Sequence, residues 1–294
     1  MAIAIKSDLV GYQKNDMNTQ ATQRGSSYSH IDQTTEPMKY VRRMDEMGAN
    51  KFWQAIKSHM LDLLDVREGS RVLDVGCGTG NDMQAIAQFV GASGQVIGVD
   101  SSSTMITEAK KRAEGLGCLV EYYVGDAHNL EFPDNSFDCC RAERLLQHLD
   151  NPQQAIAEMV RVAKPAARLV VVEPDYGTIT IEGSDPIVTR KLVDCHCEYF
   201  RSPRIGMLIP LIYKRLGIVN INVTLLPSVV TNIDERANKH LINKYVSPAV
   251  AAGVVSEKEG KNWIEDLNKA ELAGYFRHTT TIFLVSGRKP TSCN

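Results

Sequence analysis

The sequence has little of what marks a membrane, secreted or nucleic-acid-binding chain. Among 294 residues, 33 Lys and Arg nearly balance 35 Asp and Glu, leaving a formal net charge of −2. That near-neutrality argues against a dedicated nucleic-acid binder, whose affinity rests on neutralised phosphates. No apolar run approaches the roughly 18–20 residues of a membrane helix, and residues 249–255 form about the longest one. The opening Met1-Ala-Ile-Ala-Ile-Lys6 is apolar but shorter than a signal-peptide core, and polar residues follow. Seven cysteines make an odd count without the dense spacing of a secreted disulfide scaffold. The expectation is a cytoplasmic chain with free thiols. Hydrophobic residues at 43 % and charged residues at 23 % give a globular balance.

Hydrophobic periodicity divides the chain. Residues 1–27 are polar and aperiodic, and read as a mobile tail or as an arm that orders on a partner. Met38, Val41, Met44 and Met47 fall at helical spacing, a methionine stripe that fits core packing better than a lid. Phe52, Ile56, Met60, Leu63 and Leu64 mark a second helix with Asn50 as N-cap. The period then changes. Strands are expected over 71–75, 95–99, 120–124, 137–140 and 169–172, with helices over 79–90, 103–113 and 152–163. Such alternation implies right-handed βαβ units and a parallel sheet covered on both faces. Beyond residue 173 the pattern loosens. Helices are expected over 185–200, 206–216, 234–246 and 256–273, the last opened by the capping box Ser256-x-x-Glu259 and closed at Gly274. Val219, Ile221, Val223 and Leu225 alternate with polar residues as in a half-exposed strand, and 279–286 is the last strand.

One stretch carries the chemistry, Val72-Leu-Asp-Val-Gly-Cys-Gly-Thr-Gly80. A strand runs directly into a glycine-rich turn and then a helix. Ligands of open parallel sheets bind at such strand ends. Glycines let the backbone approach closely, and the helix start presents free N–H groups. Twenty residues after Gly80 the second strand ends in Asp100, where a carboxylate accepts hydrogen bonds from ribose hydroxyls. The spacing G-x-G-x-G misses the third glycine of the dinucleotide fingerprint G-x-G-x-x-G. Asp74 also stands just before the turn, where a pyrophosphate gains nothing from a carboxylate and a cationic amino group does.

The stretch from about 70 to 175 resembles the class I S-adenosylmethionine (SAM)-dependent methyltransferases, of the type that includes the ubiquinone/menaquinone C-methyltransferases and many natural-product enzymes. The matching pieces are 72–80, Val99-Asp-Ser101 with Met105, Gly125-Asp-Ala127, Phe132-Pro-Asp-Asn-Ser-Phe-Asp138, Leu145-Leu-Gln-His148 and Lys164-Pro165. The resemblance implies an α/β, Rossmann-like seven-stranded sheet whose last strand is antiparallel. It implies SAM as cofactor and S-adenosylhomocysteine as product. By the same resemblance Asp74 lies near the methionine amino group, and Gly76, Gly78, Thr79 and Gly80 shape the turn. Asp100 binds the ribose. Ser101 and Met105 border the adenine, Gly125, Asp126 and Ala127 bind its edge, and the backbone around Arg141 faces the methionine end. The family usually has Lys-Pro-Gly-Gly before the fifth strand; here Lys164-Pro-Ala-Ala167 is expected to need another backbone geometry.

The acceptor side is less legible. His148 is the candidate general base because imidazole titrates near neutrality, with a loop-capping role as its rival. Glu173 and Asp175 end the fifth strand and are expected at the pocket rim. Tyr28 and His30 precede the first helix and are expected to line the pocket. Cys195-His-Cys197 and the adjacent Cys139 and Cys140 lack zinc-site spacing, so no metal is expected. The expected divisions are the tail, a helical lid over 28–65, the SAM-binding core over 66–175, a cap over 176–217, and the rest of the sheet with a helical insertion over 218–294. The expected acceptor is a small organic molecule, methylated on O, N or C. A lipid-quinone C-methyltransferase and a SAM-binding protein without methyl transfer are the alternatives. Neither nucleic acid nor a membrane span is expected, and a homo-oligomer stays open.

Overall fold

Short runs of β-branched and small apolar residues, punctuated by glycine, build the centre of the molecule. The computed structural model describes residues 27–114, 120–233 and 241–291. Its strands are β1 (Arg71–Val75), β2 (Gln95–Asp100), β3 (Val120–Val124), β4 (Phe137–Glu143), β5 (Ala163–Glu182), β6 (Val219–Val230) and β7 (Arg277–Arg288). They form one seven-stranded sheet in the order β3-β2-β1-β4-β5-β7-β6. β1 to β5 pair in parallel, and β7 runs antiparallel to both β5 and β6. The strand order reverses between β1 and β4, which opens a crevice beyond their carboxyl ends.

The helices are α1 (Pro37–Gly48), α2 (Lys51–Leu64), α3 (Met83–Val90), α4 (Ser103–Ala113), α5 (Pro152–Val162), α6 (Pro186–Cys197), α7 (Ile205–Arg215), α8 (Ser247–Ala251) and α9 (Glu257–Leu272). Their starts follow capping chemistry. Asn50 accepts from the amides of Phe52 and Trp53, Asn151 from that of Gln154, and Ser256 and Glu259 close both arms of the capping box. Side chains alternate across each strand, so every central strand feeds two cores. Leu73 and Val75 pack with α5 and α7, and Val72 packs with α2 and α3. Cys139 and Cys140 accordingly fall in different cores.

Several expectations change. Of the segment 28–65 expected as a lid, Ile56, Met60 and Leu64 of α2 are buried in the core against α3. Residues of Ser27–Gly48, and Trp53 at the start of α2, line the crevice. α7, expected in the cap, is a layer helix whose Ile205, Ile209 and Ile212 pack against the sheet. β5 does not stop near 172. It outruns the parallel strands and continues to Glu182 against β7 alone, pairing Thr180 with Thr279. Its extension carries Ile179 and Ile181 into a third core with α6 and α9, completed by Tyr245 and Trp263. This small core, the cap, joins residues of the expected cap segment, 176–217, to the helical insertion that follows. On β6 the register shifts between Val219 and Asn222, so Val223 and Leu225 turn outward on this edge strand. The turn at 164–167 keeps a left-handed residue, with Ala166 at φ +67° where the family has glycine. Residues 1–26, and residues 234–240 of the helix expected over 234–246, lie outside the described residues.

Candidate active site

The turn after β1 is shaped by its glycines. Gly76, Gly78 and Gly80 all take positive φ, at +75°, +53° and +70°. A Cβ on Gly78 would run into Met44 of α1, and one on Gly80 would lie 2.6 Å from the Tyr122 ring. The turn is therefore seated closely under the lid and against β3. The amides of Gly76 and Cys77 donate to the Val99 carbonyl at 2.7 and 3.1 Å. The amide of Gly78 donates to Asp100 Oδ2 at 2.9 Å, and that of Ser102 to Asp100 Oδ1 at 2.9 Å. Asp100 is thus oriented at the end of β2. Burial raises its carboxyl above the usual range, and these two amides partly offset that rise.

Above the turn lies a cavity of about 800 Å³, within the range of about 300–1,000 Å³ typical of small-molecule sites. One wall consists of Gly76, Gly78, Asp100, Ser101, Met105, Gly125, Asp126 and Ala127, eight of the residues picked out in the sequence. Asp126 accepts from the backbone of His128 at 2.9 Å and pairs with its Nδ1 at 2.7 Å. Burial would raise the Asp126 carboxyl, but these hydrogen bonds hold it below its ordinary value. Met44 and Met47 also line the cavity, while Val41 of the same stripe is buried with Ile31 and Met105, so the stripe of α1 serves both core packing and the cavity wall.

Four expected cofactor residues stand behind this wall. Asp74, Thr79, Gly80 and Arg141 are buried and do not face the cavity. Arg141 is held by three carboxylates: Asp74 at 3.3 Å, Asp82 at 2.9 Å and Glu143 at 3.0 Å. Lys57 reaches Asp82 at 2.6 Å. Burial pushes the Asp74 carboxyl up to about 7 against the pull of Arg141. Glu143 carries this network to the cavity surface, where it also pairs with Arg144 at 3.1 Å. Sequence reasoning passed over Glu143. Its only signal was its place as the last residue of β4, two residues after Arg141.

Glu173 and Asp175 are not at the rim. Both are fully buried. Glu173 accepts from the Leu146 amide at 2.6 Å and so holds the 3-10 turn Leu146–His148. Burial raises its carboxyl to about 8. Asp175 accepts from Met207 in the first turn of α7 at 3.0 Å and from Gly177 at 3.0 Å. Both carboxylates therefore shape the backbone around the site.

His148, Tyr28 and His30 do line the cavity. The His148 ring stacks on Tyr28 with centroids 5.3 Å apart, and Phe200 follows at 5.9 Å. Burial first, then the cations Arg144, Lys244 and Arg43, lowers the imidazole to about 3. Such a ring is neutral at physiological pH and a poor proton acceptor, which weighs against the expected general-base role. Cys195 is partly exposed and Cys197 is buried. Among the described residues no group of three or more His, Cys, Asp or Glu could hold a metal ion. No helix there is long and apolar enough to cross a membrane.

Residues 73–171 match the methyltransferase domain family. The chain is 35 % identical over 249 residues to an uncharacterised 37.1 kDa protein of a Streptomyces fradiae transposon, covering 83 % of this chain and 70 % of that one. It is 37 % identical over 128 residues to the ubiquinone/menaquinone biosynthesis C-methyltransferase UbiE of Pseudomonas savastanoi, covering 43 % of this chain and about half, 49 %, of that enzyme. The YcgJ protein from Bacillus subtilis shares the fold, with a TM-score of 0.55 at 20 % identity over 80 % of this chain and 98 % of that one. The chain belongs to the class I SAM-dependent methyltransferases. The cavity fits that cofactor. Its glycine turn holds Gly78 at φ +53°, Asp100 is oriented by two amides, and Ser101, Met105, Asp126 and Ala127 line the same cavity.

Proposed function

We propose that this methyltransferase acts on a small organic acceptor bound beside SAM in the same cavity. When bound, SAM would supply a methyl group already activated on a sulfonium; the carbon–sulfur pair would return to sulfur and any proton on the acceptor atom would leave to solvent. The chain's own part is to hold and to exclude. Asp100 takes the ribose hydroxyls, Ser101 and Met105 flank the adenine, and Asp126 and Ala127 meet its edge. Gly76 and Gly78 let the methionine portion lie against backbone, and Glu143 offers a carboxylate to its ammonium group. Met44 and Met47 of α1 cover the cofactor and keep water from the methyl group. The far end of the cavity, walled by Tyr28, His148, Tyr199 and Phe200, takes the acceptor in line.

The observation that carries this reading is one cavity of about 800 Å³ whose lining joins the glycine turn and Asp100 to aromatic side chains from both Ser27–Gly48 and the third core. The test is incubation with isotopically labelled SAM and a metabolite extract of the source cell, followed by mass spectrometry. A labelled small molecule formed in equal amount with S-adenosylhomocysteine supports the proposal. Label appearing only on protein or nucleic acid overturns it.

A further inference from the structure

The far end of the cavity carries an imbalance of charge that the cofactor does not account for. Glu143 pairs with Arg144, and Asp150 pairs with Arg201. That leaves Arg43 of α1 and Lys244 of the π-helical turn Ile242–Val246 as lining cations. Among the described residues no carboxylate comes within 4.0 Å of either. Each instead lies over a tyrosine ring of the same wall, Arg43 over Tyr28 at 5.8 Å and Lys244 over Tyr199 at 5.2 Å. They come from opposite sides, one from the lid and one from the cap, and act on the same ring, His148. The remaining lining carboxylates, Asp100 and Asp126, belong to the nucleoside end. Asp32 is a charge that acts on Asp100, and it raises the carboxyl.

Two cations brought into a partly buried space without a counter-charge are costly unless a ligand supplies one. Burial and the neighbouring Arg43 hold the Lys244 ammonium down to about 8, which registers that cost. The surface between them is aromatic. Tyr28 stacks on His148, His148 tilts towards Phe200, and Phe200 stacks on Tyr176 at 3.9 Å. A planar ring extends such a stack.

We infer that the acceptor is a planar aromatic molecule bearing an anionic group, with the ring in the Tyr28–His148–Phe200 array and the anion between Arg43 and Lys244. This rests on the small-acceptor reading and narrows it. An anion held by two cations is already deprotonated, so its binding asks no base of the neutral His148.

The test uses the full chain loaded with S-adenosylhomocysteine and two planar probes of the same shape, 2-naphthoate and 2-naphthamide. Calorimetry should give at least ten-fold tighter binding of the naphthoate. Lys244→Met should cut that preference to under three-fold, Lys244→Arg should restore it, and S-adenosylhomocysteine affinity should stay within two-fold in both variants. Equal binding of the two probes, binding of neither, or a preference that survives Lys244→Met overturns the inference while leaving methyl transfer to a small molecule standing. Failure of S-adenosylhomocysteine itself to bind the wild-type chain overturns both.

Discussion

The backbone amide of Gly78 donates a 2.9 Å hydrogen bond to the carboxylate of Asp100, joining the glycine turn after β1 to the end of β2. The two motifs are 22 residues apart and form one surface. Gly78 sits at φ +53°, and a Cβ there meets Met44 of the lid. Gly78→Ala therefore strains the turn and displaces the end of the Met44 side chain. We expect the KM for SAM to rise at least ten-fold, with a loss of about 1–3 kcal/mol in stability. Steady-state kinetics and chemical denaturation check this.

His148 should not be the base. With its imidazole lowered to about 3 by burial and three cations, it does not titrate between pH 5 and 9. His148→Phe keeps a ring stacked on Tyr28 and should retain kcat within about ten-fold. Removing a true general base costs about 10²–10⁴-fold. A kcat–pH profile of wild type and variant decides it, and an acidic limb present in wild type but lost in the variant would restore the imidazole to that role.

Glu173 should make the fold less stable as pH rises. Its carboxyl is raised by burial to about 8, and its Oε2 has no hydrogen-bond partner. The folded state therefore keeps a proton that the unfolded chain releases near pH 4.5. The stabilisation is complete below that value and is lost as pH rises through about 8. Glu173→Gln keeps an acceptor for the Leu146 amide without the ionisation. Its unfolding free energy should match wild type near pH 4 and exceed it at pH 8.5, by a margin on the order of a few kcal/mol, with a correspondingly higher melting temperature. Parallel thermal melts that fall together with pH would refute this.

Ala166 holds φ +67° in the turn before the buried part of β5. An alanine there pays about 1–2 kcal/mol against glycine's freedom, partly offset by glycine's larger unfolded entropy. Ala166→Gly should raise the melting temperature by roughly 1–3 °C and leave activity unchanged. A lower melting temperature would show that the strain is relieved elsewhere.

What the sequence made legible was whatever local chemistry dictates. The buried strands 71–75 and 95–99 read as apolar runs, Asn50, Asn151 and Ser256 read as caps, and Asp100, picked out from its place at a strand end, lines the cavity. Glu173 and Asp175 occupy the same kind of place on β5 and proved structural. All three accept backbone amides, and a carboxylate that lines the cavity and one buried beneath it look alike until the chain folds back on them. The same limit hid Glu143, whose partner Arg141 is local but whose exposure to the cavity is tertiary. It also hid the outward turn of Val223 and Leu225, because a one-residue register shift in β6 leaves the alternation unchanged. Ala166 shows the reverse case: a substitution that reads as a change of geometry kept the geometry and took on strain.

The SAM site itself is tested most directly by calorimetric titration of S-adenosylhomocysteine into the wild-type chain and Asp100→Ala. Two hydrogen bonds from ribose hydroxyls to a carboxylate are worth about 3–6 kcal/mol, so the substitution should weaken binding by about 100-fold or more while the protein still melts cooperatively. Unchanged affinity in a folded Asp100→Ala protein, or no binding by wild type, would contradict the placement of the cofactor in this cavity.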